Sequence, residues 1–246
     1  TPRTLFPYTT LFRSLDEENP EYLAVAFDVN HPTFRHEMYK EYKGTRKSMP
    51  EELREQVPLI KEVLNAMGVT TIEKPGYEAD DILGTIAKFC EHEGYQVSLI
   101  SGDRDLLQLA SDKIKIRIPK TKKGGTEIEN YNTQDVLDKY GVTPIQFIDL
   151  KGLMGDVSDN IPGVPGIGEK TATKIIATYD TVENAYEHVE EITPNRAKEA
   201  LKNHYDLAVL SKTLATIKTD CEIDFSIKNS EIGNFYNENA FVYYKK

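Results

Sequence analysis

The chain contains 246 residues, of which 39% are apolar, and its formal net charge is −10 at pH 7. This length and composition predict a folded protein with one large domain or two modest ones. No run approaches about 18 consecutive apolar residues, so we exclude a membrane-spanning segment. The two cysteines, Cys90 and Cys221, predict neither a disulfide framework nor a zinc site, and they fit a reducing cytoplasm. The acidic balance argues against a simple basic coat for nucleic acid.

The first fourteen residues do not resemble the start of a domain. Residues 4–14 look like an in-frame translation of a sequencing-adapter oligonucleotide, and we exclude residues 1–14 from the fold as a processing scar. The alternative is a genuine irregular N-terminal segment. If the adapter interpretation is right, native sequence upstream of about Leu15 has been lost.

Two apolar runs predict buried strands that are each followed by acidic residues. Residues 23–27 precede Asp28, and residues 95–100 precede Asp103 and Asp105. In open α/β sheets ligands gather beyond the carboxyl ends of the strands, so these acids are candidate metal ligands. A single Asp at such a place is often only a helix cap.

Between those strands the apolar spacing predicts two helices, a scaffold helix over residues 53–67 and an amphipathic helix over residues 82–90. The second begins with three carboxylates, Glu78, Asp80 and Asp81. One acid at a helix N-terminus is ordinary because the helix dipole favours it. Three acids raise one another's pKa unless a cation lies between them. The alternative is a solvated acidic first turn.

A basic stretch over residues 35–47 interleaves positive side chains with tyrosines. Lys43, Arg46 and Lys47 could neutralise phosphates, and Tyr42 could stack on a base. The alternative is a solvated charged surface, and composition alone leaves both interpretations open.

In the second half of the chain, the sequence predicts a hairpin over residues 114–129 and helices from Thr133 onward. One late helix, from residue 193 to Leu210, is expected to serve packing. Within this half, Asp156 and Asp159 precede a turn that is rich in glycine and enters a helix. The N–H groups of such a turn could bind a phosphate. The glycine pattern alone also fits any tight connection between helices. The glycines are Gly163, Gly166 and Gly168.

Eight carboxylates from four separate segments therefore form one candidate metal site. Bringing them together costs heavily in repulsion unless divalent cations enter. Oxygen ligands without Cys or His predict a hard ion, Mg²⁺ or Mn²⁺. So many acids suit two ions about 3.5–4 Å apart, an arrangement that hydrolyses phosphodiesters. The acids are Asp28, Glu78, Asp80, Asp81, Asp103, Asp105, Asp156 and Asp159.

Five motifs closely resemble the 5′-nuclease domain of bacterial DNA polymerase I, in a family that also contains the flap endonucleases. They occur in unbroken order over about residues 15–225. The motifs are Phe27-Asp28, residues 33–46, Gly76-Tyr77-Glu78-Ala79-Asp80-Asp81, Ser101-Gly102-Asp103-Arg104-Asp105, and Gly155-Asp156-Val157-Ser158-Asp159-Asn160-Ile161-Pro162-Gly163.

The resemblance implies a PIN-like α/β nuclease core, with a central sheet flanked by helices and a helical arch, over residues 15–132. It implies a helix–three-turn–helix region that binds DNA over residues 133–228, and residues 229–246 are then a tail or a truncated edge. The expected activities are 5′→3′ exonuclease and structure-specific 5′-flap endonuclease on flap or nicked duplex DNA, in replication and repair. We expect a monomer in the bacterial cytoplasm, with a polymerase domain as a candidate continuation.

The resemblance also assigns roles to single residues. Glu78, Asp80, Asp81 and Asp103 match a tighter metal site, Asp105, Asp156 and Asp159 match a looser one, and Asp28 matches an acid near both. Tyr42, Lys43 and Arg46 match the catalytic arch that clamps the displaced 5′ strand. Residues expected to bind DNA, some with a K⁺ ion, are Arg35, Tyr42, Lys43, Arg46, Lys47, Gly163, Gly166, Gly168, Lys170 and Thr171.

One departure affects the expected activity. The family begins with a strand that ends in an Asp-Gly-Asn-like motif, whose Asp is itself a metal ligand, and the adapter-like segment stands in its place here. We therefore expect reduced or absent cleavage by this chain. The alternative function is a non-catalytic DNA-binding fragment, and a third is a generic acidic metal-binding protein that binds no DNA.

Overall fold

A computed structural model describes residues 13–122, 125–235, 237 and 240, so most of the adapter-like segment lies outside the described residues. Residues 13–18 are helical and lead to the first strand, β1 (Ala24–Ala26). This strand pairs in parallel with β2 (Thr70–Ile72). The prediction of a strand that ends just before Asp28 is confirmed.

Three short helices connect β1 to β2: α1 (Phe34–Met38), α2 (Glu51–Arg54) and α3 (Gln56–Ala66). The predicted scaffold helix is divided in two, because its N-terminal turn does not reach the core and Leu53 remains 45% exposed. Leu64 and Met67 are buried, and Gly68 has the positive φ of +80° that ends the helix.

A second sheet contains β3 (Val97–Ile100), β4 (Ile114–Lys122) and β5 (Gly125–Tyr131). β3 and β4 are parallel, while β4 and β5 form the predicted antiparallel hairpin. The predicted single central sheet is therefore two sheets among the described residues, with no hydrogen-bonded strand pair joining β1 to β3. The helical residues 13–18 lie against the second sheet, where Glu18 accepts hydrogen bonds from Ser98 and Lys115.

Helix α4 (Ala79–His92) packs on both sheets and aligns the ends of β1 and β3. Its N-cap is Glu78, which forms a capping box with Asp81, and Gly94 follows its end with a φ of +94°. A side chain at Gly84 would come within 2.7 Å of Ile217, so α4 also lies directly against the segment near residue 217. This close approach fixes the acidic start of α4 between the two halves of the chain.

The second half of the chain is helical, as predicted. Its helices are α5 (Thr133–Tyr140), α6 (Gln146–Met154), α7 (Glu169–Tyr179), α8 (Val182–Glu187), α9 (Asn195–Asn203) and α10 (Tyr205–Ala215). The late helix was wrongly predicted as one, since the chain turns at His204 between α9 and α10. The main apolar core runs without interruption from β4 into this region. No helix in the described part of the chain is long and apolar enough to cross a bilayer.

Candidate metal and nucleic-acid site

Four carboxylates act on one another electrostatically where β1, β3 and α4 come together, and we call this group the Asp80 pocket: Asp28, Glu78, Asp80 and Asp103. Asp28 follows β1 and its Oδ1 accepts a hydrogen bond from the Ala79 N–H at 2.8 Å, which joins this strand to the start of α4. Burial, and then the charges of Asp103, Asp28 and Glu78, raise the pKa of Asp80 to about 7. The Asp80 pocket therefore carries more negative charge than its surroundings balance.

A neighbouring group, which we call the Asp105 pocket, contains Asp105, Asp156 and Lys151. The Asp105 N–H donates to Asp103 Oδ1 at 2.9 Å, so the two pockets are directly connected. Lys151 Nζ lies 2.8 Å from Asp105 Oδ1 and also pairs with Asp156 Oδ2. Burial raises the pKa of Asp105 to about 6 although Lys151 opposes it. For Asp156 burial is outweighed by hydrogen bonds from Lys151 and Ser158, and the pKa is lowered to about 2.

Residues 42–46 connect the Asp80 pocket to Asp159. Lys43 Nζ lies 2.8 Å from Glu78 and 3.7 Å from Asp159, and the Arg46 guanidinium pairs with Asp159. The Lys43 N–H also donates to the Asp159 carbonyl at 2.8 Å. The predicted helical arch is not helical over residues 40–45, which form turns, and Lys43 has a positive φ of 54°. The basic side chains predicted to act on substrate therefore do face the acids.

Asp81 does not belong to either pocket, and its expected role as a metal ligand does not fit this geometry. Its carboxylate is fully buried and forms a bidentate ion pair with Arg35 at 2.7 and 2.8 Å. The backbone N–H groups of Glu78 and Lys218 also donate to it. Both oxygens are therefore occupied by protein donors.

Arg35 is correspondingly unavailable to DNA, which corrects the expectation that it binds there. Its side chain is only 3% exposed and donates further hydrogen bonds to the carbonyls of Leu214 and Thr216. These bonds attach α1 and the start of α4 to the end of α10. The Arg35–Asp81 pair thus holds the acidic helix start in place from behind.

Tyr42 is also placed differently from its expected role as a stacking platform. Its ring is buried in a small apolar cluster with Ile161 and Leu214, so no base can stack on it. Its hydroxyl lies 3.2 Å from both Glu78 Oε2 and Asp159 Oδ2. Tyr42 therefore orients two carboxylates of the site instead of contacting a base.

Seven of the eight predicted acids thus belong to one network of charges and hydrogen bonds around the two pockets. Asp81 differs because Arg35 and backbone N–H groups occupy both of its oxygens, although Arg35 Nη1 also lies 3.8 Å from Glu78 Oε2. Within the described residues, however, no three His, Cys, Asp or Glu side chains are close enough together to chelate one ion. Lys43, Arg46 and Lys151 lie between the carboxylates, and their charges take the place of metal charge. The donor chemistry fits a hard divalent ion, since every candidate ligand is a carboxylate and Asp80 is buried among three others.

The glycine-rich turn separates into a buried part and an exposed part. A side chain at Gly163 would overlap the backbone nitrogen of Gly155, and the Gly163 N–H donates to Ser211 Oγ. Gly163 is therefore a packing position, which corrects its expected contact with DNA. The exposed part consists of Gly166, Gly168 and Lys170, with Thr171 half-buried in the first turn of α7. Lys47 is exposed as well.

Sequence reasoning missed two residues. Lys151 carries no motif of its own, and only the fold brings it between Asp105 and Asp156. Arg196 is exposed on α9, and its guanidinium lies 3.5 Å from the place a Gly166 Cβ would take. Its separation from the turn by thirty residues left no local signal.

Two family models account for nearly the whole chain. The 5′-3′ exonuclease N-terminal resolvase-like domain matches residues 4–141, and the 5′-3′ exonuclease C-terminal SAM fold matches residues 142–238. The chain belongs to the 5′-3′ exonuclease family. The first match begins inside the segment interpreted as an adapter, and that interpretation remains a prediction.

The curated relatives named DNA polymerase I are much longer than the chain. DNA polymerase I of Bacillus subtilis is 48% identical over 235 residues, which cover 96% of this chain and 26% of that protein. DNA polymerase I of Bacillus caldotenax is 52% identical over 217 residues, which cover 88% of this chain and 24% of that protein. The chain therefore spans about a quarter of the length of these curated relatives.

Solved structures of exonucleases share the fold. A T5 5′-exonuclease with bound zinc superposes with a TM-score of 0.72 at 27% identity, covering 86% of this chain and 80% of that one. A T5 flap endonuclease in a complex with DNA and metal ions gives 0.71 at 27% identity, covering 86% and 79%. The catalytic core of Rad2 with DNA, at 18% identity and a TM-score of 0.56, is similar in fold alone.

Proposed function

We propose that this chain is a metal-dependent 5′→3′ exonuclease and 5′-flap endonuclease that hydrolyses DNA phosphodiesters in replication and repair. The observation that carries the proposal is the Asp80 pocket, where burial and the charges of three neighbouring carboxylates raise the pKa of Asp80 to about 7. Such a concentration of oxygen donors at the ends of two strands is the environment that hard divalent ions occupy.

We assign one ion to the Asp80 pocket, held by Glu78, Asp80 and Asp103 with Asp28 beside them. The second belongs with Asp105, Asp156 and Asp159. The ions are Mg²⁺, with Mn²⁺ as a substitute, and when bound they supply a Lewis acid and an activated water for phosphodiester hydrolysis.

The chain's own cations complete the site. Arg46 is 45% exposed at its side chain and pairs with Asp159, so it can reach a phosphate while it remains anchored. Lys43 is positioned between Glu78 and Asp159 and can hold a phosphate oxygen near the ions. Tyr42 keeps both acids in place through its hydroxyl.

We assign DNA binding to the exposed start of α7. Gly166, Gly168, Lys170 and Thr171 lie at this helix N-terminus, whose N–H groups favour a phosphate. A K⁺ ion that bridges to phosphate would instead be held by carbonyl oxygens of the turn. Backbone contacts position DNA without reading its sequence, which suits an enzyme that recognises flap or nicked duplex structure. A T5 relative crystallised with DNA and metal ions supports this partner. We further propose that the chain acts as a monomer and that it belongs to a longer protein with a polymerase domain, because it spans about a quarter of relatives named DNA polymerase I.

The test is cleavage of a duplex with a labelled 5′ flap by the complete chain in Mg²⁺, in Mn²⁺ and in EDTA. We expect flap release with either ion and none in EDTA. Asp103→Asn should abolish release, while the exposed Asp112→Asn serves as a matched control with the same substitution. Cleavage in EDTA, or unchanged cleavage by Asp103→Asn, would contradict the metal role.

The same experiment tests the DNA-binding alternative and the expectation of reduced cleavage. Structure-specific binding in EDTA without cleavage in either ion would identify a DNA-binding fragment. A rate equal to that of the corresponding nuclease region of the Bacillus subtilis polymerase would refute the expected reduction. The relatives and the seven acids of the site favour the nuclease over the fragment.

A further inference from the structure

Lys151 is a buried cation within the proposed metal site. It lies on α6, where only 7% of the residue is exposed, and its ammonium group lies between Asp105 and Asp156. A buried lysine is costly unless acids compensate its charge. Here the compensating acids are the two that we assign to the second divalent ion.

The contact with Asp105 is electrostatic rather than a well-formed hydrogen bond. Lys151 Nζ is 2.8 Å from Asp105 Oδ1, yet this buried oxygen has no hydrogen-bond donor in acceptable geometry among the described residues. Asp156 is better satisfied, because Ser158 donates to its Oδ1 through both the N–H, at 2.7 Å, and the hydroxyl, at 2.6 Å. Asp105 Oδ1 therefore depends on Lys151 alone among the described residues.

From this arrangement we propose that Lys151 acts as an internal substitute for the second divalent ion and competes with that ion for Asp105 and Asp156. The inference rests on the proposed function, since it assumes that these acids bind metal. The ammonium and a divalent ion cannot both lie between the same two carboxylates, because like charges at that distance repel strongly in a buried site. Loading the second ion thus requires the Lys151 side chain to move away.

The competition makes Lys151 a positioning residue with two effects. Without metal it holds Asp105 and Asp156 together and prevents their repulsion from opening the pocket. With metal it weakens binding, because the ion must displace a charge already in place. The second ion is therefore held more loosely than the first, because the charges that act most on Asp80 are those of other acids and Lys43 opposes them only weakly.

The test is a Mn²⁺ titration of the metal-free chain by calorimetry, without DNA, for the wild type and Lys151→Met. We expect two sites in the wild type, and at least tenfold tighter binding at the weaker site in Lys151→Met, with the tighter site unchanged within threefold. Lys151→Arg should keep the weak affinity because it keeps the charge. Unchanged or weaker binding in Lys151→Met would overturn the inference.

Lys212 provides a matched control. It too connects two acids from different helices, with Nζ 2.6 Å from Asp149 and 2.7 Å from Glu183. Lys212→Met removes the same charge from a similar bridge outside the proposed site, so both Mn²⁺ affinities should stay within twofold of the wild type. An equal gain in Mn²⁺ affinity in both variants would show a general effect of net charge and overturn the inference.

A second measurement is the thermal stability of the same proteins. The melting temperature of metal-free Lys151→Met should fall, and saturating Mn²⁺ should raise it by more than it raises that of the wild type. If Lys151→Met does not fold, Lys151→Gln retains hydrogen bonding without the charge and should show the same tighter weak site. A wild type that binds no Mn²⁺ refutes the proposed metal role and this inference together, whereas a wild type with two sites and an identical Lys151→Gln refutes only the inference.

Discussion

Asp80 and Asp105 are both half-buried carboxylates in the first turn of a helical segment, yet their surroundings differ. The charges of Asp103, Asp28 and Glu78 raise the pKa of Asp80, and the charge of Lys43 opposes them only weakly. Around Asp105 the largest charge effect is the favourable one from Lys151. Lys151 thus balances the charge of the Asp105 pocket, while the Asp80 pocket keeps an excess of negative charge.

The difference shows how a stable fold can keep a site ready for metal. A fully compensated pocket gains little from an added ion, whereas a pocket of facing acids is stabilised by one. The two pockets are linked by the hydrogen bond from the Asp105 N–H to Asp103. Under the proposed function, an ion bound by Asp103 would act through this hydrogen bond on the acid that begins the second pocket.

The largest expected effect is a loss of stability at Asp81, a fully buried acid whose charge Arg35 balances. Arg35→Met removes its bidentate partner and leaves a fully buried carboxylate unpaired. We expect the free energy of unfolding to fall by about 3–5 kcal/mol. Urea denaturation measures it, with the exposed Arg104→Met as a control that should change stability by less than about 0.5 kcal/mol. A small loss in Arg35→Met would show that Asp81 is not structural.

The next effect separates activity from stability at Asp80. Asp80→Asn removes a proposed ligand, so we expect flap cleavage in Mg²⁺ to fall by about 10²–10³-fold, the scale of losing one transition-state stabiliser. The same change relieves repulsion from Asp103, Asp28 and Glu78, so the metal-free protein should become more stable. Single-turnover kinetics and thermal melts measure the two quantities. A variant that loses both activity and stability would contradict the account of the Asp80 pocket.

A smaller effect is the pH dependence of the metal-free protein. Because the folded-state pKa values of Asp80 and Asp105 are raised to about 7 and about 6, the folded state binds more protons than the unfolded state above about pH 4. Stability should therefore fall as pH rises from 5 to 8 in EDTA, by about 3–4 kcal/mol, of which Asp80 contributes the larger part. The lowered pKa of Asp156, about 2, acts only in more acidic solution.

Asp80→Asn is the control for this pH dependence. It removes the group with the larger pKa shift, so its stability should change much less between pH 5 and pH 8 than that of the wild type. Urea denaturation at several pH values gives the comparison. Parallel curves for the two proteins would mean that Asp80 does not titrate in this range.

The smallest effect lies outside both pockets, at the exposed start of α7. Lys170→Ala should weaken binding to flap DNA uniformly across sequences and reduce the salt dependence by about one phosphate contact. Binding measured by fluorescence anisotropy at several salt concentrations in EDTA gives the slope. The exposed Lys228→Ala is the control, and an equal change in both variants would indicate net charge instead of a specific contact.

The acids could be predicted from sequence because each has a local signal. Asp28 and Asp103 follow apolar runs that do form strands, and Glu78 precedes an amphipathic helix that does form. The sequence could not predict which of two adjacent acids faces the site and which is buried against Arg35. Asp80 and Asp81 are adjacent in sequence, but successive residues on a helix point in different directions, and only Asp81 meets Arg35.

Packing between distant segments explains the other residues whose predicted role differs from their position in the structure. Tyr42 looks like an exposed aromatic within a basic stretch, yet its ring packs on Leu214, which lies far along the chain. Gly163 belongs to a motif that suggests phosphate binding, but its lack of a side chain serves a close approach to Gly155. Such contacts join distant segments and leave no periodic pattern in the sequence.

The most direct test of the central claim is the thermal stability of the wild type and Asp80→Asn at pH 8, in EDTA and in saturating Mn²⁺. If the Asp80 pocket is built for a divalent ion, Asp80→Asn melts at the higher temperature in EDTA, and Mn²⁺ raises the melting temperature of the wild type by several degrees more than that of the variant. Equal Mn²⁺ effects on the two proteins, or a wild type that is already the more stable in EDTA, would contradict the claim.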